Sequence, residues 1–141
     1  MMASGLQREA NGLHVRLAAV PESVPEARLR VRRWCERAGV CGRTRDDLLL
    51  AASEAVANVV VHAYPGGEGT CRLEMRRDAD AVVVSVADRG VGLSGAAPSS
   101  GRGLGLGIIL RMFPASTLAE TEPGTRVTIR APAAWSRTPD R

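Results

Sequence analysis

The sequence predicts an α+β domain: a two-layer sandwich with a mixed, mostly antiparallel sheet and its helices on one face. Three observations lead there. Segments of strand period and segments of helix period share one short chain, and a hairpin signal, Asp78-Ala79-Asp80, joins two strand segments directly. At 141 residues the chain has the length of one domain. A chain of that size buries about two-thirds of its unfolded surface.

Leu13, Val15, Leu17 and Ala19 alternate with polar residues and read as the first strand, with His14 on its solvent side. Ser23-Val24-Pro25-Glu26 has the spacing of a capping box and opens a helix. Ala27, Val31, Trp34, Cys35 and Ala38 form its apolar stripe, and Gly39 stops it. Arg28, Arg30, Arg32, Arg33 and Arg37 lie off that stripe, as a solvated face or a docking surface for an acidic partner. A second helix is expected to open at Thr44-Arg45-Asp46-Asp47, a cap with an acidic residue three positions on, and to run through His62. It is apolar nearly all round, so it should be central, and Pro65-Gly66-Gly67 ends it.

Strands are then expected over 70–76 and 81–87. A Gly-, Ser- and Pro-rich stretch follows from Asp88 to Gly107, longer than ordinary connections. Leu104 to Phe113 reads as a helix stopped by Pro114. Strands over 116–121 and 125–130, joined by Glu122-Pro123-Gly124, complete the pattern. Residues 1–11 are expected to be a flexible N-terminus, 12–131 the domain, and 132–141 a loose tail.

Composition removes several function classes. All 19 basic residues are Arg. Without a lysine, neither a P-loop NTPase nor a Schiff-base enzyme can be built. Trp34, Tyr64, Phe113 and Trp135 are the only aromatics, too few for a base-stacking platform. Arg interleaved with acids at a net charge of +4 does not make a duplex-binding stripe, so no direct nucleic-acid partner is expected. No apolar run approaches the roughly 20 residues of a membrane span, and the first eleven residues are small and polar. A cytoplasmic protein without a membrane partner is the expectation. Cys35, Cys41 and Cys71 show no metal spacing and read as small buried hydrophobes.

The chemistry concentrates in three places. Glu54, Asn58 and His62, at i, i+4 and i+8, draw one polar stripe along the apolar second helix. Burying such groups is costly unless they are paired or bind something. Asp88-Arg89-Gly90-Val91-Gly92 leaves the end of a strongly apolar strand. An Asp there can accept from an exocyclic amine, and the glycines let backbone approach a flat ring. Gly101-Arg102-Gly103-Leu104-Gly105-Leu106-Gly107 runs into a helix, whose N-terminal amides suit phosphates. The dinucleotide fingerprint is absent, because Leu106 and Ile108 stand where its third glycine would fall.

Together these segments resemble a known family. Glu54-x3-Asn58-x3-His62-Ala63-Tyr64-Pro65, Asp88-x-Gly90-x-Gly92, Gly103-Leu104-Gly105-Leu106 and Gly124-Thr125 are similar, in order, to the N-box, two glycine boxes and terminal Gly-Thr of the Bergerat-fold (GHKL) ATPases. Gyrase, MutL and histidine-kinase catalytic domains share that fold. The compact size and the Asn-x3-His-Ala-Tyr-Pro run look most like its bacterial anti-sigma-factor serine/threonine kinase branch. The resemblance spans roughly residues 12 to 131.

It implies a set of roles. Asn58 would carry Mg²⁺ to the phosphates, Asp88 would hold the adenine amine with Thr125 joining it, and Gly90 and Gly92 would lie near the base. The backbone of Gly103, Leu104, Gly105 and Leu106 would cradle the β- and γ-phosphates beneath a lid over Ser94 to Arg102. His62 belongs to the same ATP-binding set, and Glu54 would be the general base. Arg102 is a further candidate for stabilising γ-phosphate charge. The implied protein is an ATP- and Mg²⁺-dependent kinase that sequesters a sigma factor and phosphorylates a Ser on a small antagonist protein, as a homodimer. The alternatives are a nucleotide-gated clamp that transfers no phosphate, and a histidine-kinase-like ATPase.

Overall fold

The computed structural model describes residues 12–92 and 102–132, with only the backbone described for 102–105. The expected N-terminal arm, the expected lid from Ser94 to Gly101, and the tail beyond Pro132 lie outside the described residues. In chain order the elements are β1 (Gly12–Ala18), α1 (Ser23–Ala38), α2 (Gly42–Asn58), a π-helical turn (Val59–Ala63), β2 (Thr70–Asp78), β3 (Ala81–Asp88), α3 (Arg102–Met112), β4 (Thr117–Glu120) and β5 (Thr125–Pro132).

The five strands form one sheet in the order β1-β2-β3-β5-β4. Every pairing is antiparallel, so the sheet is not mixed as expected. Chain direction explains the difference. Two helices in series, α1 and α2, return the chain to the end of the sheet where β1 finished, so β2 runs back against it. The single helix α3 makes β3 and β4 run the same way, but β5 inserts between them and opposes both.

The helices pack on the face that carries Leu17, Leu73, Met75, Val82, Val84, Val86, Val127 and Ile129, all buried. Helix α2 is the hub: it meets α1, α3, β3 and β5. Its buried positions, Leu48, Leu49, Ala51, Ala52, Ser53, Ala55 and Val56, are rich in alanine, which lets neighbours approach on several sides. Each fully buried leucine or valine contributes about 1.5–3 kcal/mol relative to exposure. In α1 the buried residues Ala27, Val31, Trp34 and Cys35 follow the predicted stripe.

The α1 arginines divide. Arg28 donates from Nε to the buried Ser53 hydroxyl of α2 at 3.1 Å, and Arg30 pairs with Glu26 at 2.8 Å. Arg32, Arg33 and Arg37 are exposed.

Two local expectations fail at helix starts. Helix α1 is preceded by Glu22 and α2 by Cys41, and neither N-cap makes a side-chain hydrogen bond. The chain enters α2 through Gly42 at φ +64, two residues before the expected cap, so Thr44 and Asp47 already lie within the helix. The far end of that helix departs too. After Asn58 the ladder widens into a π turn across Val59-Val60-Val61, where three β-branched side chains crowd the preceding turn.

Cys35 and Cys71 are buried free thiols, whereas Cys41 is exposed and departs from the buried reading. Desolvation pushes Cys35 up to about 12 and Cys71 up to about 11, the latter helped by the Asp88 carboxylate. At pH 8, therefore, a thiol reagent should label Cys41 alone in the folded protein and all three cysteines in denaturant. Raised folded-state values favour the neutral thiol in the native state. The resulting stability is complete below about pH 9, the ordinary thiol value, and is lost as pH climbs toward 11 to 12. Melting temperatures should fall across that window, and less steeply for Cys71→Ala.

Candidate functional site

The site forms where β3 ends and β5 begins, beside the π turn. Asp88, the last residue of β3, lies opposite Thr125, the first residue of β5, on the helix-facing side of the sheet. Both are buried, with 5% of Asp88 and 2% of Thr125 exposed. The Asp88 Oδ1 accepts the Gly90 N–H at 2.8 Å, a local turn that fixes the plane of the carboxylate. No other hydrogen bond or ion pair engages this carboxylate among the described residues. A buried carboxylate is costly without donors, so the uncommitted oxygen is an acceptor waiting for one.

Glycines permit the close packing around it. A Cβ on Gly90 would strike the Ala63 carbonyl, and the Val91 N–H donates to that same carbonyl at 3.0 Å. Gly124, at φ +101, lies so close to the Asp88 carbonyl that a side chain there would collide with it. Gly92, at φ +76, faces the Glu120 carboxylate and the Gly124 carbonyl.

Tyr64, the only tyrosine, fastens this arrangement from outside. Its hydroxyl accepts the Arg89 N–H at 2.9 Å and donates to the Thr70 carbonyl, while Gly69 lies against its ring. Sequence reading passed over Tyr64 and Glu120 as site residues. The tyrosine carried a signal, since it sits inside the His-Ala-Tyr-Pro run; Glu120 carried none, because only the β4–β5 pairing brings it here.

Glu54 and Asn58 lie one helical turn apart on α2 and are half-buried. His62, also half-buried, comes after the π turn begins, so the regular i, i+4, i+8 stripe holds only for the first two. None of the three has a hydrogen bond or ion pair among the described residues. In α3, Gly103, Leu104 and Gly105 occupy the first turn, where amide hydrogens lack intrahelical acceptors. The chain is already helical there, earlier than the predicted start at Leu104. Leu106 is buried and packs into the core. Helix α3 packs on α2, which puts both helices on the layer that faces Asp88.

A polar helix stripe, a strand-end Asp framed by glycines, and a glycine-bearing helix start thus share one face of an antiparallel sheet. The profile of the histidine kinase-like ATPase domain matches residues 17–131, nearly the whole described fold. The chain belongs to that family.

Within it, the chain is similar to curated proteins named serine-protein kinase RsbW. It is 38% identical over 77 residues to the one from Listeria innocua, covering 54% of this chain and 49% of that protein. It is 34% identical over 79 residues to the one from Oceanobacillus iheyensis, covering 55% and 50%. The chain thus spans about half the length of these relatives. The fold also resembles the crystal structure of the RsbU and RsbW domains of Rv1364c from Mycobacterium tuberculosis. The TM-score is 0.70 at 24% identity, over 86% of this chain and 32% of that one. Membership of a histidine kinase-like ATPase family makes ATP the nucleotide this fold uses. No described helix is long and apolar enough to cross a membrane.

The packing around Asp88 predicts mutational costs. Gly124→Ala adds a methyl against the Asp88 backbone at a φ that disfavours it, and should destabilise the fold by about 2–4 kcal/mol. Tyr64→Phe removes an acceptor from the Arg89 N–H and a donor to Thr70, and should cost about 1–3 kcal/mol. Urea unfolding at neutral pH measures both.

Proposed function

We propose that the chain is an ATP-dependent serine/threonine protein kinase of the anti-sigma type, which sequesters a sigma factor and phosphorylates a Ser on a small antagonist protein. The observation that carries the nucleotide half of this reading is Asp88: a buried carboxylate with one oxygen oriented by Gly90 and the other without a partner among the described residues. The exocyclic amine of adenine is a donor for that oxygen, and Thr125 beside it can join through its hydroxyl. Gly90 makes room for the Ala63 carbonyl and Gly92 for the Glu120 carboxylate, so the loop stays packed beside Asp88. The first turn of α3 supplies free amides for the phosphates, with Gly103 and Gly105 admitting close approach.

The kinase half rests on α2. Asn58, half-buried and uncommitted among the described residues, offers a hard oxygen to Mg²⁺. The donor set fits that ion, which is commonly held by one or two protein oxygens together with substrate phosphates. Bound there, Mg²⁺ would neutralise charge on the phosphates. Glu54, one turn earlier on the same helix, would accept the proton of an incoming serine hydroxyl. In the transfer, the serine oxygen bonds to the γ-phosphorus, the bond from phosphorus to the bridging oxygen of ADP breaks, and the proton passes to Glu54. The names of the relatives support a serine acceptor. The exposed Arg32, Arg33 and Arg37 give α1 a basic surface suited to an acidic protein partner.

Asp88→Asn should weaken ATP binding by about 1.5–3 kcal/mol, since it replaces the carboxylate that takes the adenine amine. Calorimetry reads this directly, and an unchanged dissociation constant would place the base elsewhere. Glu54→Gln should keep ATP affinity within a few-fold while phosphate transfer falls by about 10²–10⁴. Asn58→Ala should lose transfer together with the Mg²⁺-dependent part of ATP affinity. Radiolabelled ATP with purified antagonist proteins tests both variants. Full transfer by Glu54→Gln would remove the base assignment, and a wild type that binds partners without transferring phosphate would make the chain a nucleotide-gated clamp.

A further inference from the structure

The face of the sheet turned away from the helices carries an open-sided cavity of about 500 Å³ at the end where β3 finishes. Arg16, Arg72, Arg89 and Arg126 line it, with Thr70 and Ala87. Three of the arginines stand on one line across the strands. Arg16 lies opposite Arg72, Arg72 opposite Ala87, and Ala87 opposite Arg126. At a strand spacing of about 4.8 Å, Arg72 and Arg126 are about 10 Å apart at the backbone, with the small Ala87 as the floor between them.

This charge is poorly compensated. Like charges directly opposite each other on neighbouring strands destabilise a sheet, and Arg16 and Arg72 are such a pair. Neither Arg16 nor Arg89 has an ion pair among the described residues. Arg72 reaches Glu74 only at 3.9 Å, and Arg126 donates to the Ser85 hydroxyl at 2.6 Å rather than to a carboxylate. Farther along the same face the charges balance: Arg130 meets Asp78 at 2.8 Å, Arg76 meets it at 3.7 Å, and His14 meets Glu74 at 3.2 Å. The arginine excess is therefore local to the cavity, where four arginines face two acids of the wall, Asp88 and Glu122.

We propose that this cavity binds a small molecule bearing two or more phosphate groups, through arginines on the sheet face turned away from the helices, with Asp88 belonging to the lining of both this cavity and the nucleotide site. Guanidinium forks match phosphate oxygens two at a time, and the Thr70 hydroxyl adds a neutral donor. The volume is that of a small-molecule pocket. The span across Ala87 lets the Arg16–Arg72 pair and Arg126 hold different phosphates of one ligand. A phosphate bound between Arg16 and Arg72 turns their mutual repulsion into attraction for the ligand. The site does not depend on the kinase reading, because none of its arginines serves that reaction.

The test uses the full chain and inorganic tripolyphosphate as the probe, titrated calorimetrically in Mg²⁺-free buffer, with a decaglutamate peptide in parallel. Wild type should bind tripolyphosphate. Arg16→Glu should weaken that binding at least tenfold and Arg16→Ala at least threefold, while ATP affinity stays within threefold in both. Arg16→Glu places an acid opposite Arg72, so it should melt no lower than wild type. Absence of tripolyphosphate binding to wild type would overturn the proposal, and so would affinity unchanged by either variant. Tighter, Arg16-dependent binding of decaglutamate would also overturn it, assigning the cavity to an acidic protein segment.

Discussion

The end of β3 depends on one constraint: an acidic side chain must stay buried at the point where strand gives way to glycine-rich loop. Asp88 is 5% exposed and receives one internal hydrogen bond. The surrounding structure can be read as what that placement requires. Gly90 brings the loop close enough to donate, and the Val91 N–H ties the same loop to Ala63. Gly124 lets the β4–β5 turn close over the Asp88 backbone, which sets Thr125 beside it. Tyr64 bridges Arg89 to Thr70 from outside. A side chain at Gly90 or Gly124 would push these elements apart.

The same constraint links the two layers. The segment 88–92 rests on the π turn that follows α2, so the strand-end Asp and the helix bearing Glu54 and Asn58 are coupled through Ala63. A regular α-helix through residue 63 would carry Ala63 and Tyr64 onward at a different angle. The wider turn after Asn58 is thus part of how α2 meets the sheet. It also separates the roles of the polar stripe, leaving Glu54 and Asn58 in register and His62 outside it.

The two sides of β3 carry opposite chemistry at the same level. Toward the helices, Asp88 and Thr125 present acceptors and a hydroxyl in a buried setting. Away from them, Ala87 and its neighbouring arginines present a positive field that the nearby acids only partly offset. Strand alternation makes this possible, because consecutive residues point to opposite faces. Asp88, Arg89 and residues of the turn at 121–124 line the arginine cavity, so the two regions meet at the end of β3.

Much of the domain was legible in the chain alone. The period-two segments place β1, β2 and β5, an apolar run places β3, the hairpin at 78–80 is local, and the apolar second helix is the hub its composition implies. The residues with unusual chemistry, Glu54, Asn58, Asp88 and the glycines after it, stand out because such groups are expensive or unhelpful inside a core unless something uses them. Sequence could not decide what depends on distant segments meeting. The strand order with β5 inserted between β3 and β4 removes the parallel pair, and no local pattern encodes that insertion. The helix starts lack the side-chain caps their spacing predicts, because the backbone enters α2 through a left-handed Gly42. Glu120 faces Gly92, and Arg16 faces Arg72, only through pairing between strands far apart in sequence. Local propensity and burial cost are written residue by residue; register and proximity are properties of the assembled sheet.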